Sequence, residues 1–351
     1  MIITIYFIFL VVSIFSFLQF SEKKSKILFS LVFSCLFLYA TLRDGNLVRD
    51  YESYIALHVD LRYNDNSEEN VEITFNAISW LVRHLFGNNI VFLFAIYALL
   101  GVGIKYIALK KLTSLLFLST LIYISEFFIL HELTQIRVGV ACAILLISVD
   151  CLYNHNLKKF IIFSICAIFF HFSAIIFIPL WFIKSNNINK KFYAMIIPFA
   201  YLVYFSNVNI FEVFINLVPI EYVQKKFEAY KHFQNQGIAY YSKINVFNKV
   251  FISKCIIFYV LLWKSKLIEE KNKYVNIFLK IEALSLSSFI LLSTMPIFAF
   301  RISQMLGIVE IVLFPCLYYA FKPKYVSNAI VIIIGLCMLL ITIFYNDLIK
   351  Y

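Results

Sequence analysis

Apolar runs of about 15 to 21 residues recur from one end of the chain to the other, separated by short clusters of charge. A helix needs roughly 20 residues to cross the ~30 Å of hydrocarbon in a bilayer. Membrane strands would show apolar and polar residues in alternation, and these runs show none. The chain therefore reads as all-α and polytopic, a bundle of membrane-crossing helices. Of its 351 residues, 62% are hydrophobic and 19% aromatic, more apolar surface than a soluble fold of this length can bury.

Ten runs qualify as spans: 2–20, 27–42, 89–109, 112–130, 136–153, 192–206, 246–263, 275–295, 302–320 and 326–345. The first has no positive residues before it and no small-residue cleavage site, so it reads as a retained helix with its N-terminus outside. Lysine clusters fall at 23–26, 110–111, 158–159, 184–191, 264–273 and 322–324. The positive-inside rule assigns all six to the cytoplasm. Five crossings satisfy the first three clusters. The leftover apolar segment 160–183 then decides the rest: a single crossing puts the last three clusters outside, whereas a re-entrant or paired short-helix segment keeps them inside. The second reading is the expectation, and it puts His171 at the turn. With no internal repeat and no low-complexity linker, residues 1–351 read as a single integral domain with outer-face loops 43–87 and 207–245.

Net charge of +11 would suit nucleic acid, but the lysines serve as topology signals, so no nucleic acid is expected. The seven cysteines lie inside apolar runs without CxxC spacing and read as small core residues. There is no HExxH, glycine-rich phosphate loop or GxSxG, and the expectation is a site with no metal and no cofactor. Asp60 and Asp65 are the acids that could in principle hold Mg²⁺.

Arginine has a different distribution from lysine. Arg43 ends the second span, Arg137 opens the fifth and Arg301 opens a late one, all at the outer boundary. A guanidinium offers a planar fork of donors that fits phosphate oxygens, while lysine is a point charge. Arginines at span ends also snorkel to headgroups, but as a group these three suit a diphosphate held at the interface. Around them lie Glu132 and Gln135 between spans four and five, Gln304 after Arg301, and the stretch LRDGNLVRDYESY, with five charges in thirteen residues. In that stretch Asp50 is a candidate base, as is His171, and Tyr51 and Tyr54 offer faces and hydroxyls to a sugar or headgroup. Glu132 is a further candidate for contact with substrate.

The pattern of Arg43, Asp50-Tyr51 and Tyr54 after span two, Arg137 opening span five, His171-Phe172-Ser173-Ala174, and Arg301-Ile302-Ser303 resembles the EpsG-like, Wzy-type polysaccharide polymerases. It departs from that pattern at Val48-Arg49, Val138 and Phe172. The resemblance implies a C-type glycosyltransferase-like protein of the bacterial inner membrane, acting on its outer face without a metal. Its donor and acceptor would be oligosaccharide repeat units on undecaprenyl pyrophosphate, and a chain-length regulator and a flippase would be its partners. Under that resemblance Arg137, Arg301, Asp50 and His171 are the catalytic set, and Arg43, Tyr51, Tyr54, Glu132 and Gln304 bind substrate. An O-antigen ligase, a flippase or other transporter, and a membrane acyltransferase are the alternatives.

Overall fold

The computed structural model describes residues 2–63, 72–184, 187–206, 244–346 and 348–349, with positions 208, 224, 228, 232 and 236 between them. Among the described residues the chain is helical throughout, with one isolated bridge, Val48 to Ile349, and no strand. In chain order the helices are α1 (Ile2–Phe17), α2 (Glu22–Thr41), α3 (Tyr51–Tyr63), α4 (Ile73–Phe86), α5 (Ile90–Leu112) and α6 (Leu116–Thr134). After them come α7 (Ile136–Tyr153), α8 (Leu157–Phe170), a 3₁₀ helix (Phe172–Phe182), α9 (Lys190–Phe205) and α10 (Lys249–Trp263). The short α11 (Ser265–Glu269), α12 (Val275–Leu291), α13 (Pro296–Ala320) and α14 (Lys324–Phe344) complete the bundle.

Local sequence sets many of these starts. Asn89, Asn156, Asn189 and Asn248 each stand just before an apolar run, and each side chain accepts a backbone N–H from the first turn that follows, at 2.9 to 3.1 Å. An asparagine there satisfies a donor that the helix itself leaves unpaired. Pro296 lies in the first turn of α13, where its fixed φ suits a helix start and its missing N–H costs nothing.

Each of the ten expected spans coincides with a helix. Six of these helices, α2, α5, α6, α7, α13 and α14, are long and apolar enough to cross a membrane; α1, α9, α10 and α12 are shorter. Several bounds differ from expectation: α2 begins at Glu22 rather than 27, and α13 begins at Pro296 rather than 302, so that Arg301 lies in its second turn and does not open it. The span expected at 112–130 runs on to Thr134 through wide π-type turns from Tyr123, and the loop expected at 43–70 carries α3.

α6 and α7 form the centre, 83% and 78% buried, against 33% for α2 on the periphery. Glycines let the neighbours of α6 approach its wide turns. A Cβ at Gly101 of α5 would lie 2.0 Å from Glu132 Oε2, and one at Gly139 of α7 would lie 2.5 Å from the His131 carbonyl. On the periphery Phe7, Leu10, Leu31, Leu202 and Ile333 point outward, as helices facing lipid require.

The connections alternate between two ends of the bundle. At one end Lys111 pairs with Asp150 at 2.7 Å, Tyr274 donates to Asp150 at 2.8 Å, Ser114 meets Tyr319 at 2.8 Å, and Lys190 donates to the Trp263 carbonyl at 2.8 Å. This end gathers the lysine clusters. Segment 160–183 is two short helices that fold back on one another at His171. The ring of Trp181, at the far end of the 3₁₀ helix, lies 5.6 Å from Phe160 and 6.4 Å from His155 at the near end of α8. The fourteen residues of α8 span about 21 Å at 1.5 Å each, so His171 is carried to the opposite end, level with the start of α7.

Candidate functional site

At that opposite end three elements meet. α7 brings Arg137 in its first turn, the α8 turn brings His171, and α4 begins at Glu72, an acid in the N-cap position whose side chain makes no capping bond. The Glu72 carboxylate instead joins the other two: Arg137 Nη1 donates to Oε2, and His171 Nδ1 lies 2.7 Å from Oε1. Beside it Thr74 donates to the Phe169 carbonyl at 2.7 Å, fixing α4 against the tip of α8. A carboxylate at a helix N-terminus also sits favourably on the helix dipole.

Burial works against ionisation of Glu72, but the hydrogen bond from His171 and the charges of Arg137 and His171 outweigh it. They bring its pKa from 4.5 down to about 2. The bond between Glu72 and Nδ1 leaves Nε2 of a neutral His171 as the lone-pair nitrogen, and Nε2 is buried with no partner among the described residues. Arg137, 22% exposed, also donates to the Tyr54 hydroxyl and lies over the rings of Phe75 and Tyr54 at 5.5 and 5.8 Å.

Asp50 stands at the edge of this group, within electrostatic range of Arg49, Arg137 and Arg301. Burial raises its pKa, and the arginines only partly offset that rise. Arg301, in the second turn of α13, acts on His171 as well. Four of the sequence-selected residues, Asp50, Arg137, His171 and Arg301, thus come together from four distant parts of the chain, with Tyr54 beneath Arg137.

The others take different positions. Arg43 is buried, with Nε on the Ala40 carbonyl and Nη1 on the Leu133 carbonyl, both at 2.7 Å, and its guanidinium 4.2 Å from the Phe94 ring centre. It ties α2 to the end of α6, and its Nη2 has no partner among the described residues. Tyr51 stacks on Phe94 at 5.0 Å and packs against Gly45, where a Cβ would lie 2.1 Å from the Tyr51 ring. Glu132 points into the protein, where Lys105 holds it at 2.5 Å and Tyr123 donates to it at 3.0 Å. Lys105 also donates to the Gly139 carbonyl at 2.9 Å. Gln304 lines a separate cavity. The Asp60 side chain, Asp65 and the tyrosines of the expected loop 207–245 lie outside the described residues.

Glu72 was not among the residues selected from sequence. It is one of eight acids in 43–87, and the signal that marks it is its place directly before the amphipathic run ITFNAISWLVRHLF. Buried charges deep in the bundle were also missed: Lys254, Glu126, Glu282 and Glu310. Lone ionisable residues inside apolar spans are expensive and tend to be functional.

A family model for the EpsG family matches residues 26–351. No curated protein and no solved structure matches the chain. With nearly its whole length matched, this protein belongs to the EpsG family, a family of Wzy-like polysaccharide polymerases.

Proposed function

We propose that the protein joins lipid-linked oligosaccharide repeat units into a surface polysaccharide at the Glu72–Arg137–His171 site. In this reading the ten spans and the hairpin at 160–183 form one domain in the bacterial inner membrane, C-type glycosyltransferase-like in plan. The lysine-rich end faces the cytoplasm, as the positive-inside rule asks. The site then faces outward, where repeat units on undecaprenyl pyrophosphate would meet it, delivered by a flippase and with a chain-length regulator as a further partner.

The observation that carries the reading is the convergence of Asp50, Arg137, His171 and Arg301 at one end of the bundle, with the Glu72 carboxylate holding Arg137 and His171. Arg137 and Arg301 would take the donor diphosphate, with the unpaired Nη2 of Arg43 behind them. Fixed cations aimed at developing negative charge lower the barrier without reorganising in the reaction. An acceptor hydroxyl attacks the anomeric carbon of the donor chain, and the bond from that carbon to the diphosphate oxygen breaks. The electron pair leaves with the lipid diphosphate. The hydroxyl proton goes to His171 Nε2, while Glu72 holds the ring through Nδ1, the arrangement by which a carboxylate orients a histidine base. Asp50 is the second candidate for that proton. The energy of transfer lies in the sugar–diphosphate bond, so the reading requires neither nucleotide nor metal.

The test is the surface polysaccharide of a strain lacking the gene and complemented with variants. Arg137→Ala and Arg301→Lys should give single repeat units on the lipid core, with the protein still in the membrane. Normal chain lengths in both would overturn the clamp. Accumulated lipid-linked units would point to a ligase or flippase, and full-length chains lacking a modification to an acyltransferase.

A further inference from the structure

A recess with apolar walls and a charged floor lies at the same end of the bundle, on the other side of α13. It has a volume of about 250 Å³ and runs from the starts of α10 and α13 and the end of α14 inward to α6. At about 30 Å³ per water it has room for roughly eight waters. Phe300, Ser303, Gln304, Gly307 and Glu310 face it, the i, i+3, i+4, i+7 and i+10 positions of one helical stripe. Arg301, one residue on from Phe300, is turned about 100° away, toward Asp50 and His171.

The floor is charged. Lys254 lies 3.2 and 3.0 Å from the two carboxylate oxygens of Glu126 and 3.0 Å from Glu310. Glu282 lies behind Glu310, and neither of its carboxyl oxygens has a hydrogen-bond partner among the described residues. Two carboxylates therefore pair with one ammonium and a third lies behind them, a surplus of acceptors that disfavours a phosphate and suits a ligand presenting hydroxyl donors. The walls supply flat apolar faces: Phe251 stacks on Phe289 at 4.6 Å, and Phe300 meets Phe289 edge-on at 5.5 Å. At the mouth, the Gln304 side-chain amide has no hydrogen-bond partner among the described residues.

We propose that this recess binds a sugar ring of the acceptor unit, with Gln304, Glu126 and Glu310 taking its hydroxyls and the phenylalanines its apolar face. The assignment rests on the polymerase reading, which needs two glycan-bearing substrates at once. α13 then divides the work, with its Arg301 face toward the donor diphosphate and its Gln304 face toward the acceptor.

The experiment uses full-length protein in nanodiscs and, as probe, the single repeat-unit oligosaccharide of the producing strain, freed of its lipid diphosphate by mild acid. Binding is read by saturation-transfer NMR and titration calorimetry, with thermal melting as a check on folding. The wild type should bind the probe. Gln304→Ala should weaken binding about tenfold, the loss of one or two hydrogen bonds, and Ser303→Leu, which fills the recess, should abolish it. Arg137→Ala should bind as the wild type does, because the probe carries no diphosphate. Equal binding by the wild type and both recess variants, or no binding to folded wild type, would overturn the assignment. If Arg137→Ala stops chain growth in cells while the probe does not bind, the recess assignment alone falls. If the probe binds as described while a deletion strain still makes full-length chains, the polymerase reading alone falls.

Discussion

Glu72 holds His171 through Nδ1 at 2.7 Å, although 99 residues separate them in the chain. The same carboxylate takes Arg137, so a single side chain sets the orientation of both groups on which the proposed chemistry depends. Removing it leaves Arg137 with one fewer anion and His171 free to turn. A hydrogen bond to a charged group contributes about 1.5–3 kcal/mol, which corresponds to roughly 10- to 100-fold in rate. Glu72→Gln should therefore cut polymerisation by that factor in a membrane assay. Glu72→Asp, which keeps the charge on a shorter arm, should recover part of it.

The pH dependence follows from the lowered pKa of Glu72. Its ionised form is stabilised in the folded state, so its contribution is fully present above the ordinary value of 4.5 and is lost as pH falls toward about 2. Between pH 5 and 8 Glu72 should not titrate, and thermal stability of the wild type should carry no step from it. Below pH 4.5 wild-type stability should fall more steeply than that of Glu72→Gln. Melting curves in detergent at pH 3 to 8 check this, and parallel curves for the two proteins would contradict it.

Glu132 and Lys105 should behave as a stability pair. Breaking a buried ion pair by removing one partner costs about 3–5 kcal/mol, while replacing both by apolar residues is often neutral. Glu132→Gln should lower the melting temperature and the yield of membrane protein. The double variant Lys105→Met with Glu132→Leu should restore much of both, together with activity.

Trp181 against Phe160 predicts where the loops lie. In a background with the exposed Cys35, Cys166 and Cys337 changed to serine, Lys158→Cys and Lys184→Cys should both resist a membrane-impermeant thiol reagent applied to whole spheroplasts. His84→Cys, at the site end, should react. Labelling at 184 but not at 158 would mean that the segment crosses once.

Much of the fold was legible because membrane crossing imposes a length and an apolarity that every span must show. The lysine clusters pointed to a fold-back within 160–183, and two short helices meet there at His171. Arg137, His171 and Arg301 could be read because each is a lone polar group beside an apolar run. Arg43 and Glu132 looked alike in sequence but differ in surroundings. The carbonyls left over at the end of the wide-turn segment capture Arg43, and Lys105, in the middle of an apolar run, captures Glu132. Glu72 was hidden among other acids: its place before an amphipathic run marks a helix start, but its meeting with α7 and the α8 turn is three-dimensional. The recess on α13 was half visible as Gln304, but its floor comes from α6, α10, α12 and α13 together.

The most direct measurement is chain growth in proteoliposomes holding purified protein and the lipid-linked repeat unit of the producing strain, resolved as a ladder on a gel. The wild type should build a ladder of increasing length and release the lipid diphosphate. Arg137→Ala and His171→Gln should leave single units. A ladder of the same lengths from both variants, or none from the wild type with its native substrate, would contradict the account.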